Sequence, residues 1–158
     1  MPEDYYGKTT NIEQWIAATL AALTDGGETV FKTADIWKYQ VSASKGGVDS
    51  FARYAPFAFV AYDSVDGARE GDYDLRQAML FRVVIGCVSK EEGVARIGDA
   101  NNMGCDKIRD LVIAALDKQH PGEGFDCDEI FFDRDFILVE LPKIHAVQMH
   151  FKVNLMTV

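Results

Sequence analysis

The chain has 158 residues, close to one domain's worth and enough to bury a core without a metal or disulfide staple. Its 16 Lys and Arg stand against 25 Asp and Glu, a net charge of −9, which excludes a protein whose main task is gripping the nucleic-acid backbone and disfavours docking on anionic lipid. Ten Phe, six Tyr and two Trp supply the apolar payload that a disordered chain lacks.

The segment Met1 to Thr10 is polar and acidic, without the basic and apolar regions of a signal peptide. Past it, Ile12, Trp15, Ile16, Leu20 and Leu23 recur at the spacing of one buried helical face. Thr10 and Glu13 stand at capping-box spacing, which predicts a helix starting just after Thr10. Asp25-Gly26-Gly27 supplies its stop, because glycine enters the left-handed region at no steric cost. From Thr29 to Val41, aromatic and β-branched residues predict a strand that Lys45-Gly46-Gly47 breaks, with a short helical turn over Val48 to Arg53. Ala55 to Tyr62 reads as a central strand, with Pro56 confined to its first residues.

Asp63 to Arg76 shows no apolar period and carries Gly67 and Gly71, so it reads as a long acidic loop. Its length exceeds what closing two neighbouring strands requires, and such loops are commonly either functional or solvated and mobile. Asp63, Asp66, Arg69, Glu70, Asp72, Tyr73, Asp74 and Arg76 are therefore the candidate interface to a neighbouring subunit or partner, with Tyr73 as an aromatic anchor among charges.

Gln77 to Ser89 predicts a third strand. A second helix follows over about Asp99 to Gln119, with Ile108, Leu111, Val112, Ala115 and Leu116 as its buried stripe. Asp99 and Asp106 fall near its positive end and Lys118 near its negative end, and His120-Pro121-Gly122 stops it. Ile130 to Leu141 holds one long strand or two short ones, and Pro142-Lys143 a turn. Strict alternation from Val147 to Met156 then gives a strand with one face in the core and one wet. The order α-β-β-β-α-β-β predicts a single α+β domain over 1–158: a mixed, mostly antiparallel sheet with two helices packed on one face.

The residues carry no recognisable chemistry. Gly7-Lys8-Thr9-Thr10 lacks the earlier glycine of a phosphate loop, since Pro2 occupies that place, and no strand feeds it. His145 and His150 lie an odd number of residues apart on one strand and point to opposite faces, so they cannot chelate one metal. His120 reads as a helix C-terminal residue. Cys87, Cys105 and Cys127, odd in number and without a C-x-x-C, read as reduced thiols. Cys87 lies in a core run, and Cys127, between Asp126 and Asp128, is a poor nucleophile. The acidic groups Asp63/Asp66, Asp72/Asp74, Asp126/Asp128/Glu129 and Asp133/Asp135 fit no calcium-loop spacing and read as solvated surface. The expectation is no enzyme, no catalytic residue, no metal ligand and no cofactor. No stretch reaches the roughly 18 apolar residues of a membrane span.

Three strings, Phe31-Lys32-Thr33-Ala34-Asp35-Ile36-Trp37-Lys38-Tyr39, Ala55-Pro56-Phe57-Ala58-Phe59-Val60-Ala61-Tyr62 and Phe81-Arg82-Val83-Val84-Ile85-Gly86, precede an Asn101-Asn102 approach to the apolar helix ending Leu111-Val112-Ile113-Ala114-Ala115-Leu116. In that order they resemble the tail-terminator, or tail-completion, proteins of Mu-like bacteriophages and prophages, over about Ile12 to Leu155. The resemblance rests on order, spacing and short apolar strings. It implies a non-enzymatic virion protein that assembles as a homo-oligomeric ring, commonly a hexamer, caps the tail tube and then meets the head–tail connector. The implied partners are the tail-tube and connector proteins, with neither specific nucleic-acid binding nor a membrane. The implied location is the virion tail, and the host cytoplasm during assembly. The residues alone leave open another head–tail joining protein, or a small α+β enzyme or ligand-binding domain.

Overall fold

The computed structural model describes residues 5–41, 47–70, 74–122, 124–125 and 127–155. The first helix, α1 (Tyr5–Ala21), begins earlier than the capping-box spacing predicts. Thr10 lies inside it, and Glu13 is used elsewhere: its carboxylate accepts the backbone N–H of Tyr62, while burial pushes its pKa up. The stripe is as expected, with Ile12, Ile16 and Leu20 buried. Gly26 and Gly27, at φ 60° and 86°, do more than stop the helix. They form the two-residue turn of a small hairpin between β1 (Thr24–Asp25) and β2 (Glu28–Thr29).

The strand expected over Thr29 to Val41 shrinks to β3 (Thr33–Ile36). A local clamp ends it. The Gln40 side chain accepts the Lys38 N–H at 2.5 Å and donates to the Ile36 carbonyl at 2.9 Å, turning the chain where a strand would continue. Because β3 leads through α2 (Gly47–Tyr54), the next strand returns parallel to it. That strand is β4 (Phe57–Glu70), which turns back into β5 (Asp74–Val88).

This hairpin corrects the loop reading of Asp63 to Arg76. Pairing continues through Asp66↔Ala78, Gly67↔Gln77, Ala68↔Arg76, Arg69↔Leu75 and Glu70↔Asp74, with one irregularity between Tyr62 and Ser64. Gly67 is therefore a strand residue and not a turn. Beyond Gln77, among the described residues, no third strand pairs with the hairpin, so no further strand imposes an apolar alternation on it.

After β5, the short α3 (Val94–Ile97) leads to α4 (Cys105–Leu116). The helix expected from Asp99 starts six positions later because the Asp99 carboxylate accepts the N–H groups of Asn101 and Asn102, both at 2.8 Å, and holds a turn. It ends before His120-Pro121-Gly122, as Lys118 takes φ 63° and swings the chain toward the sheet. The last strands, β6 (Cys127–Leu141) and β7 (Ile144–Leu155), form a hairpin about Pro142 and Lys143. The sequence left β6 as one strand or two; it is one, bent by three irregularities, the last two between Phe132 and Arg134 and between Ile137 and Val139.

The main sheet has the order β3-β4-β5-β7-β6, parallel only between β3 and β4. The α+β class and mixed sheet are as expected. The stripes of α1 and α4 meet Val60, Phe81, Val83, Ile85, Met149, Phe151 and Val153 in one core on one face. The third long helix, α2, lies on the other face, where Phe51 packs with Phe57 and Phe59. No helix among the described residues is long and apolar enough to cross a membrane.

Candidate functional site: two open sheet edges

A strand edge presents unpaired N–H and C=O groups and invites another strand unless it is covered. The β6 edge is covered over its first part only. The residues leaving α4 lie along it: the Lys118 N–H donates to the Ile130 carbonyl at 2.7 Å, and the Ile130 N–H to the Gln119 carbonyl at 2.8 Å. The Phe132 N–H donates to Asp117 Oδ1 at 2.9 Å. His120 fastens this connection, with Nε2–H donating to the Cys127 carbonyl at 2.8 Å and Nδ1 accepting the Gly122 N–H. Past Phe132 no main-chain partner lies on this edge among the described residues. There Phe136, Ile137, Leu138 and Leu141 are 46% to 52% exposed. Edge strands usually carry charge at such places, so this apolar run reads as a surface made to be covered.

Beside this edge lies a polar cleft of about 420 Å³ lined by Asp106, Arg109, Asp110, Asp135, Ile137 and His145 among others. Arg109 is its fixed point. Its guanidinium bonds Asp135 of β6 and reaches Asp110 at 2.9 Å, and both carboxylates keep it charged. It ties α4 to the bent part of β6. The imidazole of His145 is buried among Asp106, Glu140 and Arg96, and burial pushes its pKa down, making it neutral at physiological pH.

The second edge belongs to β4. β3 covers it from Phe57 to Val60, the Trp37 N–H donates to the Val60 carbonyl at 2.8 Å, and Glu13 receives the Tyr62 N–H. From Asp63 onward, no strand among the described residues pairs with this side of β4. The candidate residues of the acidic segment fall here. Asp63 is exposed on β4; Asp66, Arg69 and Glu70 follow on the same strand; Asp74 and Arg76 lie on β5 across the hairpin. Asp72 and Tyr73 lie outside the described residues. The hairpin thus brings together the charged positions that the sequence placed in one loop.

Sequence reasoning missed Phe136, Ile137, Leu138 and Leu141. The apolar run Phe136-Ile137-Leu138-Val139, with Leu141 following Glu140, was the available signal, but such a run marks a buried central strand as readily as an uncovered edge. Of the other residues weighed for chemistry, His150 is buried on the wet-predicted face of β7, where Gln148 bonds its Nε2 at 2.9 Å. Asp133 contacts Arg134 and Lys152, and Asp126 lies outside the described residues. Cys87, Cys105 and Cys127 form no disulfide and are buried. Among the described residues no cluster of His, Cys, Asp and Glu could hold a metal ion. Neither a family model nor a curated protein matches the chain.

Proposed function

We propose that the protein is a structural subunit of a phage virion that assembles as a ring, caps the tail tube and completes the tail for joining to the head. The observation that supports this most is that, among the described residues, β6 past Phe132 and β4 past Tyr62 each present an edge with no strand paired to it, and that these two edges are unlike. Two unlike edges on the same subunit suit a head-to-tail contact, which closes into a ring when the rotation between neighbours divides a full turn. The exposed apolar run on β6 supplies an interface core, and main-chain hydrogen bonds supply register. The number six comes from the family resemblance.

In this reading the acidic hairpin, from Asp63 to Arg76, meets the tail-tube protein or the connector, where its carboxylates pair with basic groups on the partner. Any part facing a lumen repels passing DNA and lets it slide. The reading assigns no catalytic residue, metal or cofactor, and places the protein in the virion tail after assembly in the host cytoplasm. Electron microscopy of particles made without the gene tests it. Tails of irregular length, or tails that never join heads, are the expected result; normal tails on normal heads would refute it. Another head–tail joining protein differs only in position, which gold-labelled antibody against this chain resolves. A small ligand-binding domain is the second reading, favoured by the cleft described next.

A further inference from the structure

The face of the sheet opposite the main core is covered by α2 and the Trp37–Val41 segment over one part only. Beside them is a cleft of about 530 Å³, walled by Trp37, Tyr39, Phe59, Val84 and Leu138 among others. That volume and that apolar, aromatic lining are typical of sites for small molecules. Among the described residues one charged side chain lines it, Arg82 on β5, with the amide of Gln148 on β7. Arg82 is half-buried, and among the described residues no carboxylate forms an ion pair with it, in a chain where acids outnumber bases by 25 to 16. Among the described side chains, Arg96, Arg109 and Arg134 have carboxylate partners, and Arg53 of α2 lies 6.0 Å from the centre of the Tyr54 ring. His150, opposite Arg82 in register, accepts from the Gln148 amide at Nε2.

The rim carries an independent mark. Tyr39 has φ 62°, a conformation uncommon for an aromatic residue, and is 87% exposed. The Gln40 clamp holds the turn that presents it, and its ring lies 5.9 Å from that of Trp37, which is edge-on to Phe59. The aromatic wall therefore runs from the sheet to solvent, and the cation lies in the same lining.

We propose that this cleft is a binding site for a small amphipathic anion: an aromatic or short aliphatic body against Trp37, Tyr39 and Phe59, with one acidic head group on the guanidinium of Arg82. A planar guanidinium presents paired donors that match a carboxylate or sulfonate, and the apolar surroundings strengthen the contact. The site does not rest on the virion reading and stands whether or not copies assemble.

The test titrates the full chain with 8-anilino-1-naphthalenesulfonate and, separately, with its uncharged relative N-phenyl-1-naphthylamine, followed by fluorescence. One sulfonate probe should bind per chain. Arg82→Gln should weaken the sulfonate at least fivefold and leave the uncharged probe within twofold; Arg82→Lys should recover part of the loss; Tyr39→Ala should weaken both probes. Circular dichroism confirms that each variant is folded. Absence of sulfonate binding to the unaltered chain, an Arg82→Gln variant that binds it normally, or parallel loss of both probes in Arg82→Gln without rescue by Arg82→Lys would each overturn the proposal.

Discussion

The ring of Phe57 lies across Gly86 on the neighbouring strand, its register partner, so closely that a Cβ on Gly86 would fall 2.3 Å from Cζ of the ring. The ring has nowhere to go: Phe51 and Phe59 flank it at centroid distances of 5.2 and 4.9 Å. The glycine is what allows an aromatic side chain to lie flat on the strand beneath α2. Gly86→Ala should therefore destabilise the fold by about 1–3 kcal/mol, the usual cost of overpacking a filled core. Urea unfolding reads this directly, and an unchanged midpoint would show that the ring can move aside.

Stability should fall as the pH drops toward 5, in part through His145. Its folded pKa lies below the ordinary value of about 6.5, so in the interval between the two the unfolded chain binds the extra proton. The contribution is complete above about pH 7 and is lost as pH falls through 6.5 toward the folded value. Asp106 and Glu140 favour the charged ring and Arg96 opposes it, but burial dominates. His145→Gln should flatten the slope of unfolding free energy between pH 7.5 and 5 relative to the unaltered chain. Equal slopes would show that His145 is not protonated on unfolding in that range.

The thiols should be inert in the native state. Cys105, at the start of α4, shares a thiol hydrogen bond with Cys87 of β5, and that contact together with burial pushes its pKa far above the usual thiol range. Cys87 and Cys127 are buried as well. A disulfide-exchange reagent at pH 8 should label none of them quickly and three per chain in denaturant. Rapid stoichiometric labelling of the folded protein would contradict the packing described for these sites.

Which parts of this fold could be read from the chain follows from what each residue meets. The alternation in β7 was legible because Val147, Met149, Phe151 and Val153 all enter one core. The helical stripes of α1 and α4 were legible for the same reason. Their ends were not, because the chain spends Glu13 on the Tyr62 N–H and Asp99 on a turn, where local spacing reads both as helix-start signals. The hairpin was illegible as strand since, past Gln77, no third strand among the described residues pairs with it to impose a pattern. The position of β6 was also hidden. Strand order depends on contacts distant in sequence, and nothing in Phe136-Ile137-Leu138-Val139 says which side stays open.

Replacing Leu138 by Lys places a charge at the exposed bend of β6. Since Leu138 is already 46% exposed, monomer stability should change by no more than about 0.5 kcal/mol. Association through this edge should be lost, as edge lysines block strand addition. The pair of measurements, urea unfolding and sedimentation, separates an interface role from a folding defect. A variant that associates normally would remove β6 from the contact.

The claim that copies join edge to edge is tested most directly by the solution mass of the unaltered chain, measured by light scattering across protein and salt concentration, with and without tail-tube subunits. A net charge of −9 per subunit repels at low salt, and ions screen exposed charge beyond about 8–10 Å near physiological strength, so association should grow with salt. The account predicts a discrete closed species of several subunits, favoured by salt or by the tube and abolished by Leu138→Lys. A single-chain mass under every condition, tube subunits included, would contradict it.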